Sequence, residues 1–95
     1  MDIVNAERIR EFIRHYPQSA SALERWELIT SNSTWRTFND LRSTFNSADY
    51  VNGKVVFNIG GNKYRLIAIV DYKGQQVIVR PILTHTEYDR EKWKS

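Results

Sequence analysis

The stretch KVVFNIGGNKYRLIAIVDYKGQQVIVRPILT, residues 54–84, decides the fold. Its apolar residues recur every second position, Val and Ile dominate, and Gly60-Gly61 and Lys73-Gly74 interrupt it. That period with β-branched residues marks strands, so three antiparallel strands are expected at about Lys54 to Ile59, Asn62 to Tyr72 and Gln75 to Thr84. Gly-Gly suits a two-residue hairpin loop because both central positions of a type I′ turn need positive φ; Lys-Gly is the weaker turn. Two-residue loops place Asn58 opposite Lys63 and Lys63 opposite Thr84, with Val56, Arg65 and Ile82 in the next row and Lys54, Ile67 and Arg80 in the third. Opposed residues share a side. One face then carries Val55, Phe57, Ile59, Tyr64, Leu66, Ala68, Val70, Val77, Val79 and Leu83, and packs on something apolar. The other carries the cations Lys54, Lys63, Arg65 and Arg80 with Asn58 and Thr84.

The N-terminal half supplies the packing partner. Met1 to Val4 reads as a brief edge strand, and Asn5 as the N-cap of a helix with Ile9, Phe12, Ile13 and Tyr16 on one face, ended by Pro17. Ser21 with Glu24 reads as a capping box opening a second helix that buries Ala22, Leu23, Trp26 and Ile29. A third helix from about Thr37 to Phe45 puts Phe38, Leu41 and Phe45 on one face. After the last strand, Thr84 or Thr86 can cap a short helix with Glu87 and Asp89 in its first turn and Tyr88 and Trp93 to bury. The fold class is therefore α+β, with N-terminal helices on one face of a small antiparallel sheet and a short C-terminal helix, in one domain spanning 1–95.

Composition fits that size. The 95 residues are 41% hydrophobic and 26% charged, contain no Cys, and show no repeat or Pro/Gly-rich linker. Lack of Cys removes disulfide scaffolds, thiolate nucleophiles and cysteine metal sites, and suits a reducing compartment, with the cytoplasm as default. No window reaches the roughly 18 apolar residues of a membrane span, and a signal-peptide layout is lacking. The net charge of +3 arises entirely after Phe45, where eight Lys and Arg face five Asp and Glu; residues 1–45 hold six of each. A basic excess confined to one half favours a polyanion, nucleic acid before membrane. Lysine and arginine often merely solvate an exposed sheet face, but four cations there with no acid in the rows above are mutually unfavourable. An external anion would relieve them.

His85 sits directly after the third strand, beside the expected Asn58–Lys63–Thr84 row. Cleavage of RNA by its own 2′-OH needs a general base, a proton donor for the leaving 5′ oxygen and cations for the charged transition state. Histidine can fill either proton-transfer role near neutral pH; Lys63 and Arg65 can hold phosphate oxygens; Tyr88 or Asp89 can orient or relay a proton. His15, late in a helix, reads as structural. Neither a metal-ligand set nor a phosphate-binding glycine loop is present in the pattern, so no metal and no cofactor is expected. Tyr64 and Trp26 belong to the core, whereas Tyr72 and Tyr88 remain possible stacking platforms for unpaired bases.

The runs Val55-Val56-Phe57-Asn58-Ile59, Gly61-Asn62-Lys63-Tyr64-Arg65-Leu66 and Thr84-His85-Thr86-Glu87-Tyr88-Asp89, in this order after a helical half, closely resemble the HigB-type toxins of bacterial type II toxin–antitoxin modules. The resemblance covers nearly the whole chain. It implies a RelE-like fold and a ribosome-dependent mRNA interferase, an endoribonuclease acting on mRNA at the ribosomal A site beside 16S rRNA. A HigA-type helix-turn-helix antitoxin would neutralise it, reaching operator DNA only through that complex. Carried onto this sequence, the family's signature polar positions fall on Asn58, Asn62, Lys63, Arg65, His85, Tyr88 and Asp89; His85, Arg65, Lys63, Tyr88 and Asp89 are expected to be catalytic, and Asn58 and Asn62, together with the cations Lys54, Lys73 and Arg80 of the basic half, to contact RNA. Gly60 departs from the pattern, standing where relatives more often have Lys or another polar residue, so phosphate grip is expected to be weaker. Two alternatives remain at this point: a ParE-like inhibitor of DNA gyrase that cuts nothing, and a plain RNA-binding module.

Overall fold

In the computed structural model, which describes residues 1–90, helices cover one face of a five-stranded sheet. In chain order the elements are β1 (Asp2–Val4), α1 (Glu7–His15), a 3₁₀ turn (Pro17–Ser19), α2 (Ala20–Ser31), α3 (Phe38–Thr44), β2 (Asp49–Val51), β3 (Lys54–Ile59), β4 (Tyr64–Asp71), β5 (Gln76–Thr84) and α4 (His85–Asp89). The spatial order is β1-β5-β4-β3-β2. This is the α+β arrangement expected from the sequence, with one change of kind: β1 runs parallel to β5, so the sheet is mixed. No helix among the described residues is long and apolar enough to cross a membrane.

The helices bury most of the stripes that their spacing marks, the exception being Ile29 of the second helix, which is half-buried while its neighbour Thr30 is fully buried. Ile9 and Phe12 of α1, Leu23 and Trp26 of α2 and Leu41 of α3 join Val55, Phe57, Tyr64, Leu66, Ala68, Val77 and Val79 in one core. Aromatic rings lock the layers: Trp26 and Phe45 each meet Phe57 edge-on at 5.3 Å, and Phe12 meets Tyr64 at 5.4 Å. Pro17 follows the end of α1 as expected, and Thr37 caps α3 by accepting from Asp40 N at 3.2 Å. Two expected caps are corrected. Asn5 adopts φ +66 and donates from Nδ2 to Val79 O, so Ala6 precedes α1 without a capping side chain. The 3₁₀ turn runs directly into α2, which therefore starts before Ser21 and uses no capping box.

The sheet register is also corrected, in two places. Asn58 pairs with Arg65 and Ile59 with Tyr64, because residues 60–63 all lie in the turn. Gly60 and Gly61 do take the positive φ expected of them, +62 and +70. The slip moves every partner by two, so the faces are preserved. In the second hairpin the expected pairing holds from Asp71–Gln76 to Ala68–Val79, with Tyr72 to Gln75 as the turn and the left-handed residue at Gln75. A bulge then places Arg80 and Pro81 opposite Ile67 alone. Proline has no N–H to give the ladder and is confined to such sites. Beyond the bulge the faces of β5 exchange: Ile82, opposite Leu66, packs on the core, and Leu83, opposite Arg65, joins the outer face.

That outer face differs from the expected cationic row. Asp49 lies opposite Val56, Asp71 opposite Gln76, and Asp2 beside Gln76, so it does carry acids. Its centre is apolar, with Val56 2% and Ile67 0% exposed. Lys63 leaves the sheet for the turn. Asp2 and Asp71 thus lie at the Asp71–Gln76 end and Asn58 and Arg65 at the other, with Asp49 on the edge strand beside the central Val56–Ile67 row.

Candidate active site

Four segments meet at that second end: the close of β3, the turn over residues 60–63, the start of β4, and the junction of β5 with α4. Thr84 pairs with Tyr64 in the ladder, and His85 N donates to Lys63 O at 3.0 Å, which ties the first residue of α4 to the turn. Thr84 caps α4 through a reciprocal box, accepting from Glu87 N at 3.2 Å while Glu87 Oε1 accepts from Thr84 N at 2.9 Å. The Glu87 carboxylate is therefore occupied in holding the helix start.

Arg65 is the centre of the cluster. It points to the outer face yet is only 8% exposed. Its Nη1 donates to Tyr64 O at 3.1 Å and its Nη2 to Asn62 Oδ1 at 2.7 Å, and its Cζ lies 5.3 Å from the centre of the Tyr88 ring. These partners are neutral, and among the described residues no carboxylate pairs with it. A guanidinium carries five N–H donors in a fixed fork that suits phosphate. A desolvated cation held, among the described residues, by dipoles and a ring face leaves its charge for an anion to neutralise.

One helical turn along, His85 Nδ1 stands 3.1 Å from Asp89 Oδ2, with the two side chains 46% and 61% exposed. The spacing of four residues places the two side chains on one face of α4, within reach of each other. With Nδ1–H donated to the carboxylate, Nε2 is left to accept or deliver a proton. Lys63 is exposed in the turn, and Asn58 is half-buried across the ladder from Arg65.

The structure thus gathers Arg65, His85, Asp89, Tyr88, Lys63, Asn62 and Asn58. Of the remaining expected RNA contacts, Lys54 and Lys73 lie away from this cluster and Arg80 at its margin. Lys54 begins β3, four residues or about 13 Å from Asn58. Lys73 lies in the turn beyond the far end of β4, whose eight residues span about 25 Å. Arg80 is exposed at the bulge, one row from the Arg65–Leu83 pair. Tyr72, half-buried against the core, where burial and then the neighbouring Tyr50 raise its phenol above the ordinary 10.0, lies beside the Lys73 turn and away from this cluster. Tyr88 lies on Arg65. The expected partner Trp93 lies outside the described residues. Asn62 as the anchor of Arg65 carried no sequence signal beyond its place three residues before it.

Comparison with known proteins gives a consistent result. Residues 19–91 match the HigB toxin family, described as the RelE-like toxic component of a toxin–antitoxin system. The chain is 28% identical over 92 residues to the mRNA interferase toxin HigB of Escherichia coli strain K12, covering 94% of this chain and 88% of that protein. It is 30% identical over 93 residues to the mRNA interferase HigB of Escherichia coli O6:H1 strain CFT073, covering 95% and 90%. The mRNA interferase HigB of Shigella flexneri is 28% identical over 92 residues, with 94% and 88% covered.

Proposed function

The chain belongs to the HigB family of RelE-like toxins, and from that premise we propose that it is an mRNA interferase whose active site is the cluster around Arg65 and His85. The observation that carries this reading is the buried Arg65 guanidinium, fixed by Asn62 and Tyr64 O, with no carboxylate pairing it among the described residues. A scissile phosphate supplies the missing charge.

The chemistry follows from what surrounds that phosphate. The 2′-OH of the preceding ribose attacks phosphorus, the bond to the 5′ oxygen breaks, and the products are a 2′,3′-cyclic phosphate and a 5′-hydroxyl. Arg65 and Lys63 hold the non-bridging oxygens as negative charge grows on them. His85 takes the 2′-OH proton or gives one to the leaving oxygen, and Asp89 keeps its imidazole in one tautomer and orientation. Tyr88 packs on Arg65 and limits its motion. A gyrase inhibitor or a plain RNA-binding module has no use for a proton-transfer residue beside an anion site.

The substrate is mRNA on the translating ribosome, and the protein acts in the cytoplasm. An antitoxin of the HigA type is the partner that silences it and carries it to operator DNA. The test is a single 2′-deoxy nucleotide placed at a mapped cut in an otherwise natural mRNA. Cutting should vanish at that position, and the natural message should yield 5′-hydroxyl ends; cutting that persists at the deoxy position would refute the mechanism.

A further inference from the structure

The last strand has an open edge. β1 pairs with β5 only from Gln76 to Ile78, whereas β5 runs on to Thr84, and among the described residues no other strand lies on that side. Asn5, at its positive φ, leads the chain away from the sheet, and its Nδ2 donates to Val79 O at 3.3 Å. Alternation along β5 tells which main-chain groups beyond that point face outward. His85 N donates to Lys63 O, so the groups of His85 point toward β4, those of Thr84 away, those of Leu83 toward and those of Ile82 away. Thr84 N agrees, since it donates to Glu87 Oε1 and not to β4. The edge therefore offers Ile82 N–H, Ile82 C=O and Thr84 C=O.

The bulge decides what this edge presents. In an unbroken ladder the edge-facing residue after Val79 would be Pro81, which has no N–H to give. The extra residue opposite Ile67 moves that position on to Ile82, which has one. Proline on an edge ordinarily guards it against pairing; here the guard is displaced. Beside the edge lies a cleft of about 250 Å³, with Phe12, Pro81 and Ile82 as its apolar lining and the exposed Arg8, Glu11 and His15 of α1 as its polar one. Arg8, and the exposed Arg80 on the strand itself, pair with no carboxylate among the described residues. Against the single acid Glu11 of the lining, these two cations leave the margin net positive.

We propose that an extended acidic segment of the antitoxin adds to the sheet along this edge of β5, beside Ile82, and sets one apolar side chain into the cleft against α1. The inference rests on the antitoxin partner proposed above and not on the cleavage chemistry; membership of a family of toxic components of toxin–antitoxin systems supplies a protein partner. One strand residue opposite Ile82 satisfies both its N–H and its C=O. In such strand addition the main-chain bonds hold the segment, and alternate side chains enter pockets. The cleft is smaller than the pockets of drug-sized ligands and takes a side chain, whereas a helix is about 10–12 Å across. Carboxylates beside that side chain meet Arg8 and Arg80. An RNA strand fits less well, because its phosphates are acceptors that the carbonyls of Ile82 and Thr84 repel. Thr84 adjoins His85, so a segment seated here also stands at the margin of the cleavage site.

The experiment follows amide hydrogen exchange of the wild-type toxin by NMR, alone and bound to the HigA-type antitoxin of its own pair. Exchange at Ile82 should slow by about tenfold or more in the complex, the scale of one added hydrogen bond, while the amides of β2, on the opposite edge, keep their rates. Arg8→Glu should weaken antitoxin binding by about fivefold, the scale of one exposed ion pair, and leave cleavage by the free toxin unchanged. A complex in which Ile82 exchanges as fast as in the free toxin would overturn the strand addition and leave the antitoxin partner intact. Protection of Ile82 by a 2′-O-methyl RNA tetranucleotide and not by the antitoxin would overturn it in favour of RNA. Protection in the free toxin that grows with its concentration would overturn it in favour of a second copy. Antitoxin binding to Arg8→Glu as tight as to wild type would overturn the acidic character of the segment. Absence of any complex would overturn the antitoxin partner as well, with the cleavage reading still decided by the deoxy-substituted message.

Discussion

Asn62→Ala tests whether Arg65 works because it is held still. Asn62 is exposed in the turn, so truncating it removes little packing, but it deletes the 2.7 Å bond to Arg65 Nη2. A hydrogen bond to a charged group contributes on the order of 1.5–3 kcal/mol. Tyr64 O at 3.1 Å and the Tyr88 ring at 5.3 Å still restrain the guanidinium, so the lower end applies. About 1.4 kcal/mol is a factor of ten, and single-turnover cleavage on programmed ribosomes should therefore slow by about tenfold. Arg65→Lys removes the fork itself and should cost about 10²–10³, the range for losing a preorganised donor to a developing anion. The double variant separates positioning from direct RNA contact. If Asn62 acts only through Arg65, adding Asn62→Ala to Arg65→Lys should change the rate by less than about twofold. Two independent losses that multiply in the double variant would refute the positioning role and make Asn62 an RNA contact in its own right.

Three further outcomes are expected. Asp89→Asn should lower the cleavage rate less than His85→Ala does, by about tenfold or below, since both partners are substantially exposed and the pair is screened; equal losses in a side-by-side rate measurement would mean that Asp89 takes part in proton transfer itself. Thr84→Ala should lower stability by about 1 kcal/mol in urea denaturation, the usual cost of an N-cap, and should slow cleavage because His85 is the first residue of α4; unchanged activity would detach the helix start from the chemistry. Because the Tyr72 phenol is raised in the folded state, its contribution to stability is complete below the unfolded value and is lost as pH climbs from about 10 through the folded one; Tyr72→Phe should flatten that alkaline decline, and an unaltered profile would contradict it.

Much of the architecture was legible because periodicity reports burial directly. The range of β3, the apolar stripes of α1 to α3 and the Thr84 start of α4 all follow from spacing and capping chemistry. What escaped depends on turns. The first hairpin has four turn residues where two were expected, and only the evenness of the slip preserved the faces. Asn52-Gly53, with φ +52 and +79, joins β2 to β3 as a strong hairpin dipeptide that sequence reading passed over. Pro81 was the visible sign of the bulge that exchanged Ile82 and Leu83. The site was legible as a set of residue types near one strand end. Its organisation was not, because a buried arginine held by a carbonyl and by Asn62 follows from three-dimensional register, and the distant Lys54 and Lys73 share its charge but not its place.

The central claim, that Arg65 and His85 form an RNA-cleaving site, is tested most directly by 5′-end mapping of one defined mRNA in a translating extract. Wild type, His85→Ala and wild type with initiation blocked are compared, with folding of the variant verified by circular dichroism. New 5′ ends should appear with wild type and translation, and be lost in both other arms. Intact mRNA with wild-type protein, or full cutting by His85→Ala, would contradict the claim.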